Sequence, residues 1–271
     1  MQDGEKTQHV CVKLYPLSDS GQAALDAHAR LLLGLKDIVP VPDVLKVLPE
    51  CDAFGFPALV TTACGQPLNV AMRHASADLQ RQMVTRVAEA ISALHACDPR
   101  KLCVDSPYDP DSLCGQWQED AMWYREHAAE AGRYANLVLR GAARLAERFD
   151  VQPIGAFLHR DLTPYNILAR GSSVVLVDWD HAGFSAPQED VGKTLIGLLS
   201  MLSIPRSVRL QLAWTFLGVY SHLRSLPTAE LMSQSLPFAL DTLLDWVVGG
   251  KNAPQEELSW ATEQILTNDC I

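Results

Sequence analysis

The sequence lacks the features of a membrane protein, a cysteine-ligated metal protein or a nucleic-acid-binding protein. No apolar run approaches the roughly 20 residues of a membrane-spanning helix, and residues 1–6 contain no apolar signal segment. The seven cysteines form no CxxC pair and no other metal-binding spacing, so we expect free thiols in a reducing cytoplasm. A formal net charge of −10 disfavours nonspecific binding to a phosphate backbone, and we expect no nucleic-acid or membrane partner.

Several enzyme motifs are also missing. The chain has no GxSxG nucleophile elbow and no GxGxxG dinucleotide loop. Residues 187–194 (PQEDVGKT) come close to a P-loop, but proline replaces the first glycine, and Glu189 and Asp190 would repel a phosphate. Acidic residues after a proline are typical of the first turn of a helix, so this segment predicts a helix start.

The most informative segment that is present runs from residue 158 to residue 180. It reads LHRDLTPYNIL, followed after five residues by the apolar run VVLV and then Asp-Trp-Asp. Asp161 and Asn166 lie five residues apart, and Asp178 follows twelve residues later where the apolar run ends. The pattern predicts a strand–loop–strand frame that presents two carboxylates and one amide.

This arrangement suits phosphoryl transfer from ATP. Mg²⁺ prefers a few oxygen ligands besides water and phosphate, and Asn166 and Asp178 supply one neutral and one charged oxygen. An aspartate is a weak base, so Asp161 is expected to orient the acceptor hydroxyl and to take its proton late in the reaction. His159 is expected to brace the loop.

The motif resembles that of the aminoglycoside phosphotransferase and choline kinase family. Its features here are the His159-x-Asp161 run with Asn166, the Asp178-Trp179 pair and the Pro-x-x-Asp that ends at Asp190. The resemblance implies an α+β, protein-kinase-like fold with two lobes, a small antiparallel sheet and a large, mostly helical part. It also implies ATP and Mg²⁺ as cofactors, catalytic Asp161, and Asn166 and Asp178 as metal ligands. Asp190 is expected to brace the catalytic loop rather than react.

The acceptor that the resemblance implies is a hydroxyl group of a small molecule. Aminoglycoside-type antibiotics, macrolides, choline-like alcohols and sugar derivatives all occur as acceptors in the family. The net charge of −10 would suit a cationic acceptor. Only eleven residues separate Asp178 from Asp190, which leaves no room for the activation loop of a protein kinase.

A lysine for the ATP phosphates is expected at position 13. Val10, Val12 and Leu14 alternate along a predicted strand and leave Lys13 on the other face. The family usually pairs this lysine with a glutamate on the next helix, predicted here over residues 21–35. His28 stands at that position and Asp26 lies two residues earlier. Three alternatives remain: the helix is rotated, another acid holds Lys13, or the pair is missing.

The predicted nucleotide site continues at the junction between the lobes. Backbone groups of Thr62, Ala63 and Cys64 are expected to contact the adenine edge, with an N-lobe over residues 1–64 and a C-lobe over residues 65–271. Only twelve residues precede Lys13, fewer than two strands and a phosphate-covering loop require. The sequence therefore predicts a shortened N-lobe, and two explanations stay open: a naturally trimmed form, or a start placed too late.

Apolar periodicity predicts the remaining elements. Strands are expected over residues 10–15, 44–48, 58–62, 154–158, 166–168 and 174–177. Helices are expected from Ser76 onward, as one long or two shorter helices over residues 111–149, and over residues 186–202, 207–223, 229–248 and 256–266. Trp117, Trp123 and Tyr124 are expected in the core.

Two functional hypotheses remain after this reading. The first is an ATP- and Mg²⁺-dependent small-molecule kinase, favoured by Asp161, Asn166 and Asp178. The second is a degenerate kinase-fold protein that serves as a binding or regulatory module, favoured by the short N-terminus and by His28. The sequence leaves the acceptor and the oligomeric state open.

Overall fold

The computed structural model describes residues 9–49, 55–98, 102, 110–147, 155–249 and 255–267. None of the helices in these segments combines the length and the apolar character needed to cross a membrane. The predicted strand start at residue 154, the predicted helix end at residue 149, and Cys51, Cys103 and Cys270 fall outside the described residues.

The N-terminal part of the chain forms an antiparallel sheet with one helix packed against it. Strand β3 (Ala58–Thr62) lies between β1 (Val10–Leu14) and β2 (Val44–Leu48). Helix α1 (Asp19–Leu35) begins after Ser18, whose hydroxyl accepts a hydrogen bond from the N–H of Gly21 at 3.1 Å. These elements confirm the predicted ones to within two residues at each end.

Strand β1 keeps the alternation that its sequence predicts, but its apolar face is open to solvent. The side chains of Val10, Val12 and Leu14 are 46%, 37% and 48% exposed. Lys13 points the other way and is half-buried at the wall of a cleft. The alternation therefore serves to present Lys13 to the cleft and not to bury the valines.

A glycine stands at the joint between β3 and the rest of the chain. Gly65 has φ +130, and a Cβ on it would lie 2.4 Å from the carbonyl oxygen of Ala169. The strand that follows, β4 (Gln66–Pro67), pairs with β6 (Ile167–Arg170), which in turn pairs with β7 (Ser173–Leu176). Any side chain at position 65 would force apart the backbones that join these strands.

A second small sheet flanks the predicted catalytic segment. Strand β5 (Ala156–Leu158) pairs with β8 (Gly183–Ser185), and the loop from β5 to β6 contains Asp161 and Asn166. Strands β5, β6 and β7 confirm the prediction. Strands β4 and β8 were not predicted, because strands of two or three residues are too short to show a period.

The rest of the described chain is helical. Its helices are α2 (Leu68–Ala71), α3 (Ala77–Ala96), α4 (Pro110–His127), α5 (Ala135–Leu145), α6 (Gln188–Ser200), α7 (Arg206–Arg224), α8 (Thr228–Gly249) and α9 (Gln255–Thr267). Short 3₁₀ segments cover Met72–His74 and Ala128–Tyr134. Helix α3 starts as predicted, with the Ser76 hydroxyl accepting from the N–H of Leu79 at 3.3 Å.

The predicted region of residues 111–149 forms two helices, not one. Helices α4 and α5 are separated by the 3₁₀ segment, in which Gly132 has φ 55. Trp117 and Tyr124 are buried, as predicted. The prediction is wrong for Trp123, which is 43% exposed and stacks on His127 with ring centroids 4.2 Å apart. Trp123 precedes Tyr124 by one position, about 100° around the helix, and therefore faces solvent.

Helix α6 begins where the false P-loop lies in the sequence. Pro187 is its N-cap, and Glu189 and Asp190 stand in its first turn. This confirms the predicted helix start. All but one of its residues are buried between the surrounding helices, so α6 forms the centre of the helical part and carries Asp190 directly beneath the loop that follows β5.

Candidate active site

The loop between β5 and β6 brings Asp161 and Asn166 into direct contact. The amide nitrogen of Asn166 donates to Asp161 Oδ2 at 2.8 Å and to the carbonyl oxygen of Asp161 at 2.9 Å. Backbone bonds from Thr163 N to Asp161 O and from Asn166 N to Thr163 O, both 3.0 Å, tighten the turn. Since the amide nitrogen is used in this way, the amide oxygen of Asn166 faces away from Asp161 and can bind a cation.

Asp190 holds this loop from beneath, as the sequence predicts. Its carboxylate accepts hydrogen bonds from the N–H groups of His159 at 2.9 Å and Arg160 at 2.7 Å, and from Nε2 of His95 at 3.1 Å. Burial alone raises the pKa of Asp190, but the hydrogen bonds that its carboxylate accepts from His95 and from the backbone outweigh burial and leave the pKa below its ordinary value. Asp190 is therefore an ionised, fully enclosed brace.

His159 is the second brace of the loop. Its Nε2 donates to the carbonyl oxygen of Val177 at 2.9 Å, and its Nδ1 accepts the N–H of Asp161 at 3.3 Å. Burial lowers the pKa of His159, which keeps the ring neutral and suits this tautomer. The ring thus connects Asp161 to the strand end that precedes Asp178.

Asp178 lies at the end of β7, next to the Asp161 loop. The N–H of Val177 donates to the carbonyl oxygen of Asn166 at 3.0 Å, which holds the two chain segments together. Asp178 adopts a left-handed conformation with φ 65, and the buried Trp179 beside it donates its indole N–H to Leu176 O at 3.1 Å. The buried indole leaves the Asp178 side chain, 49% exposed, on the open side of the turn.

Lys13 reaches this group from the N-terminal sheet. Its Nζ lies 3.2 Å from Oδ1 of Asp178 and 2.5 Å from Oδ1 of Asp180. Of the three alternatives for its counter-ion, the structure therefore selects another acid. That acid is on the turn after β7 and not on helix α1.

His28 occupies the place on α1 where a glutamate was expected. Its side chain is 11% exposed, its Nδ1 lies 2.6 Å from the Tyr15 hydroxyl, and the same atom is 3.6 Å from Asp180 Oδ1. Burial and the positive charge of Lys13 lower the pKa of His28. It is a neutral residue at the edge of the core.

Lys13, His28 and Asp178 line one end of a cleft of about 480 Å³ between the sheet and the helical part, and the loop that carries Asp161 and Asn166 lies beside it. The other end is lined by Thr62, Ala63 and Cys64, with apolar walls from Leu59 and Leu168. All the sequence-predicted site residues of the nucleotide end are therefore in one cavity with Lys13 and Asp178.

The backbone at the far end of the cleft has one donor to spare. The N–H of Thr62 donates to Asp43 O at 3.0 Å and that of Ala63 to His9 O at 3.3 Å. The N–H of Cys64 has no hydrogen-bond partner among the described residues. Burial raises the pKa of the Cys64 thiol, whose hydrogen goes to the carbonyl of Thr62 at 3.3 Å, so the thiol is a neutral part of the wall.

The donor set fits a hard divalent cation with few protein ligands. Within the described residues no group of three or more His, Cys, Asp or Glu side chains has a metal-holding arrangement. One amide oxygen from Asn166 and one carboxylate from Asp178, completed by water and phosphate oxygens, is the usual environment of Mg²⁺ at a nucleotide. The geometry suits an ion bound together with a polyphosphate.

Sequence reasoning missed two residues of this site. Asp180 could have been found, because it is a second carboxylate two positions after Asp178 in the same motif. His95 could not, because it lies 95 residues from Asp190 on α3 and its surroundings show no motif.

Comparison with known families gives one match that covers most of the chain. Residues 2–219 match the model of a family described as a phosphotransferase enzyme family. No curated protein sequence matches the chain at a significant level.

Solved structures match over nearly the whole length of the chain. The macrolide 2′-phosphotransferase MphH from Brachybacterium faecium has a TM-score of 0.59 at 18% identity, covering 95% of this chain and 86% of its own. The GDP complex of aminoglycoside 2′-phosphotransferase-IIIa has a TM-score of 0.56 at 16% identity, with coverages of 99% and 96%. A choline/ethanolamine kinase family protein from Mesorhizobium loti has a TM-score of 0.53 at 15% identity, with coverages of 96% and 83%. These similarities confirm the α+β, two-lobed, kinase-like fold.

Proposed function

The chain belongs to the phosphotransferase enzyme family and is a small-molecule kinase, and from this premise we propose that it transfers the γ-phosphate of ATP to a hydroxyl group of a small, cationic acceptor. The observation that carries the proposal is the meeting of four side chains from distant parts of the chain. Asn166 touches Asp161 at 2.8 Å, and Lys13 touches Asp178 at 3.2 Å, in and beside one cleft.

The nucleotide would lie along the cleft with its base toward Cys64. The spare N–H of Cys64 is a donor for the adenine edge, and the walls formed by Leu59 and Leu168 suit a flat apolar ring. Lys13 would then contact the phosphates at the other end. The GDP complex of the related aminoglycoside 2′-phosphotransferase supports a nucleotide in a fold of this kind.

The residues at the phosphate end have distinct tasks in the proposed reaction. Mg²⁺, when bound through Asn166 and Asp178, offsets the negative charge of the phosphates. Asp161 orients the acceptor hydroxyl. The acceptor oxygen forms the new bond to the γ-phosphorus, the bond from that phosphorus to the β–γ bridging oxygen breaks, and ADP leaves with that electron pair. The hydroxyl proton passes to Asp161 and then to water.

One of the two observations that favoured a degenerate binding module no longer favours it. That hypothesis was favoured by His28 in place of a glutamate, but Lys13 has carboxylate partners in Asp178 and Asp180. The carboxylates of Asp178 and Asp180 therefore balance the charge of Lys13 in place of a glutamate on α1.

Two substitutions in the site test the proposal. Asp161→Ala is expected to lower turnover by a factor of about a thousand while leaving the dissociation constant for Mg·ATP nearly unchanged, because the residue acts on the acceptor. Asp178→Ala is expected to remove the dependence of ATP binding on Mg²⁺, because it removes a metal ligand. Calorimetry with and without Mg²⁺, together with release of ADP, measures both effects.

Asp78→Asn is the matched control. Asp78 lies in the first turn of α3, where it pairs with Arg81 at the surface, so its loss changes the net charge without changing the site. Turnover by Asp161→Ala at the level of the control would overturn the assignment of Asp161.

A further inference from the structure

Resting on the proposed function, we propose that Asp180 is a positioning residue for phosphoryl transfer. Its carboxylate holds Lys13 at the phosphates and replaces a glutamate on α1. Asp178 is then left to the metal. The carboxylate that pairs with Lys13 therefore lies on the turn after β7 and not on helix α1.

The first support is the geometry of Lys13. Its Nζ is closer to Asp180 Oδ1, at 2.5 Å, than to Asp178 Oδ1, at 3.2 Å. A dication at Asp178 would repel the ammonium group of Lys13 from that carboxylate. Asp180 is the partner that Lys13 keeps when the metal binds, so the lysine stays in the cleft.

The second support is that the turn around Asp180 is rigid. Trp179 is buried, donates its indole N–H to Leu176 O at 3.1 Å, and accepts the N–H of Ala182 on its carbonyl at 3.1 Å. With Trp179 fixed in the core, its two neighbours stand on the open side of the turn, where their carboxylates reach the same Nζ. A counter-ion on a fixed turn positions Lys13 without help from the helix.

The third support is that His28, the α1 side chain in contact with Asp180, is neutral. His28 lies 3.6 Å from Asp180 Oδ1, and its Nδ1 is 2.6 Å from the Tyr15 hydroxyl. The lowered pKa of His28 keeps the ring neutral, so it neither replaces Asp180 as a counter-ion nor competes with Lys13 for it. Because the side chain of His28 lies close to the Asp180 carboxylate, a carboxylate placed at position 28 can be tested as a substitute for Asp180.

A double-mutant cycle between Asp180 and Lys13 tests the proposal. The quantity measured is the dissociation constant of a fluorescent ATP analogue in the presence of EDTA, so that no metal contributes. Asp180→Asn is expected to weaken this binding by about threefold to tenfold, since Lys13 is no longer held, and to have no such effect in the Lys13→Met background. Equal weakening in both backgrounds would overturn the proposal.

Metal-free binding also separates this role from that of a second metal ligand. Removing a negative charge beside the phosphates strengthens metal-free binding if the charge has no positioning role, because repulsion falls. If the Asp180→Asn variant bound the ATP analogue more tightly without metal and less tightly only with Mg²⁺, Asp180 would be a metal ligand. This result would refute its role as the counter-ion of Lys13.

Restoring a carboxylate on α1 gives a second, independent readout. His28→Glu combined with Asp180→Asn is expected to recover most of the lost affinity, because the side chain at position 28 lies 3.6 Å from the Asp180 carboxylate that holds the lysine. Asp26→Asn is the matched control on the same helix, where Asp26 accepts a hydrogen bond from Gln22 at 3.1 Å, and it should bind as the wild type does. Affinity that stays low in the double variant, or that falls equally in the control, would argue against the proposal.

The proposed function itself can fail separately. A wild-type protein that binds no nucleotide with or without Mg²⁺ would refute both. A wild-type protein that binds ATP while Asp180→Asn binds equally well without metal would refute the role of Asp180 alone.

Discussion

Two residues beside the predicted reacting groups adopt the left-handed backbone conformation, which most residues other than glycine avoid. Arg160 and Asp178 both have φ 65, a conformation that costs about 1–3 kcal/mol at such sites. Arg160 is held there because Asp190 accepts its N–H at 2.7 Å and the Lys193 ammonium donates to its carbonyl at 2.5 Å. The buried Asp190 carboxylate therefore stabilises the loop geometry that aims Asp161.

A different acid, Asp241 on α8, makes stability depend on pH. It accepts a hydrogen bond from the Tyr124 hydroxyl at 2.8 Å, and burial, with Asp120 and Asp245 nearby, raises its pKa from 3.8 to about 6. Because the unfolded chain releases this proton more readily, the contribution to stability is complete below about pH 4 and is lost as the pH rises through about 6.

Asp241→Asn is expected to remove this loss. The amide stays neutral and its oxygen can still accept from Tyr124, so the free energy of unfolding at pH 7 should rise by about 1–2 kcal/mol relative to the wild type. Denaturant unfolding at about pH 4.5 and about pH 7.5, below and above the pKa of about 6 of the folded state, measures the difference. Glu230→Gln is an exposed change on the same helix and should keep the wild-type pH dependence of the free energy of unfolding. If Asp241→Asn kept this pH dependence as well, Asp241 would not be its cause.

At the scale of elements, helix α6 supports the loop between β5 and β6 from below. Besides Asp190 and Lys193, the helix contacts the loop at Gly197, where a Cβ would lie 2.5 Å from Cδ of Pro164. Pro164 stands between Asp161 and Asn166 in the loop, and its carbonyl oxygen accepts the N–H of Leu68 at 2.9 Å. The glycine lets α6 approach closely enough to fix the loop from below.

Gly197→Ala is expected to disturb both stability and turnover. Alanine favours a helix over glycine by about 1 kcal/mol, so a net loss can come only from the contact with Pro164. We expect the free energy of unfolding to fall by about 1–3 kcal/mol and turnover to fall with it, as the loop between Asp161 and Asn166 shifts. Gly218→Ala on α7 is the matched control, since nothing lies within 4 Å of the added Cβ.

The two variants should change stability in opposite directions. Gly218→Ala should leave turnover unchanged and should stabilise by about 0.5–1 kcal/mol. Thermal unfolding and ADP release measure both properties. If Gly197→Ala matched Gly218→Ala in both stability and turnover, the close contact at Gly197 would not be what supports the loop.

At the scale of the whole molecule, contacts that are distant in sequence connect the two parts of the fold. Lys13 meets Asp178 and Asp180 across more than 160 positions of the chain, and the N–H of Leu176 donates to Pro40 O at 2.9 Å. Gly65 joins the parts covalently beside the strand pair formed by β4 and β6. These links determine how the predicted phosphate lysine faces the predicted metal ligands, while the exact division at residues 64 and 65 stays a prediction.

The sequence predicted the site residues that lie on one local unit of the chain, but it did not predict several contacts between distant segments. Asp161, Asn166 and Asp178 could be assigned from their spacing because one strand–loop–strand unit carries all of them. The partner of Lys13 could not, since it depends on how α1 and the turn after β7 meet in space. Strands β4 and β8 were missed because they are too short for periodicity, and their partners are far away in the chain.

The most direct test of the central claim is the release of ADP from Mg·ATP by the purified wild-type protein, measured with and without acceptors. The panel comprises aminoglycosides, macrolides, choline, homoserine and sugar alcohols. The account predicts that at least one hydroxyl acceptor raises ADP release well above the rate with water alone and becomes phosphorylated in equal amount. ADP release that no acceptor raises would contradict it.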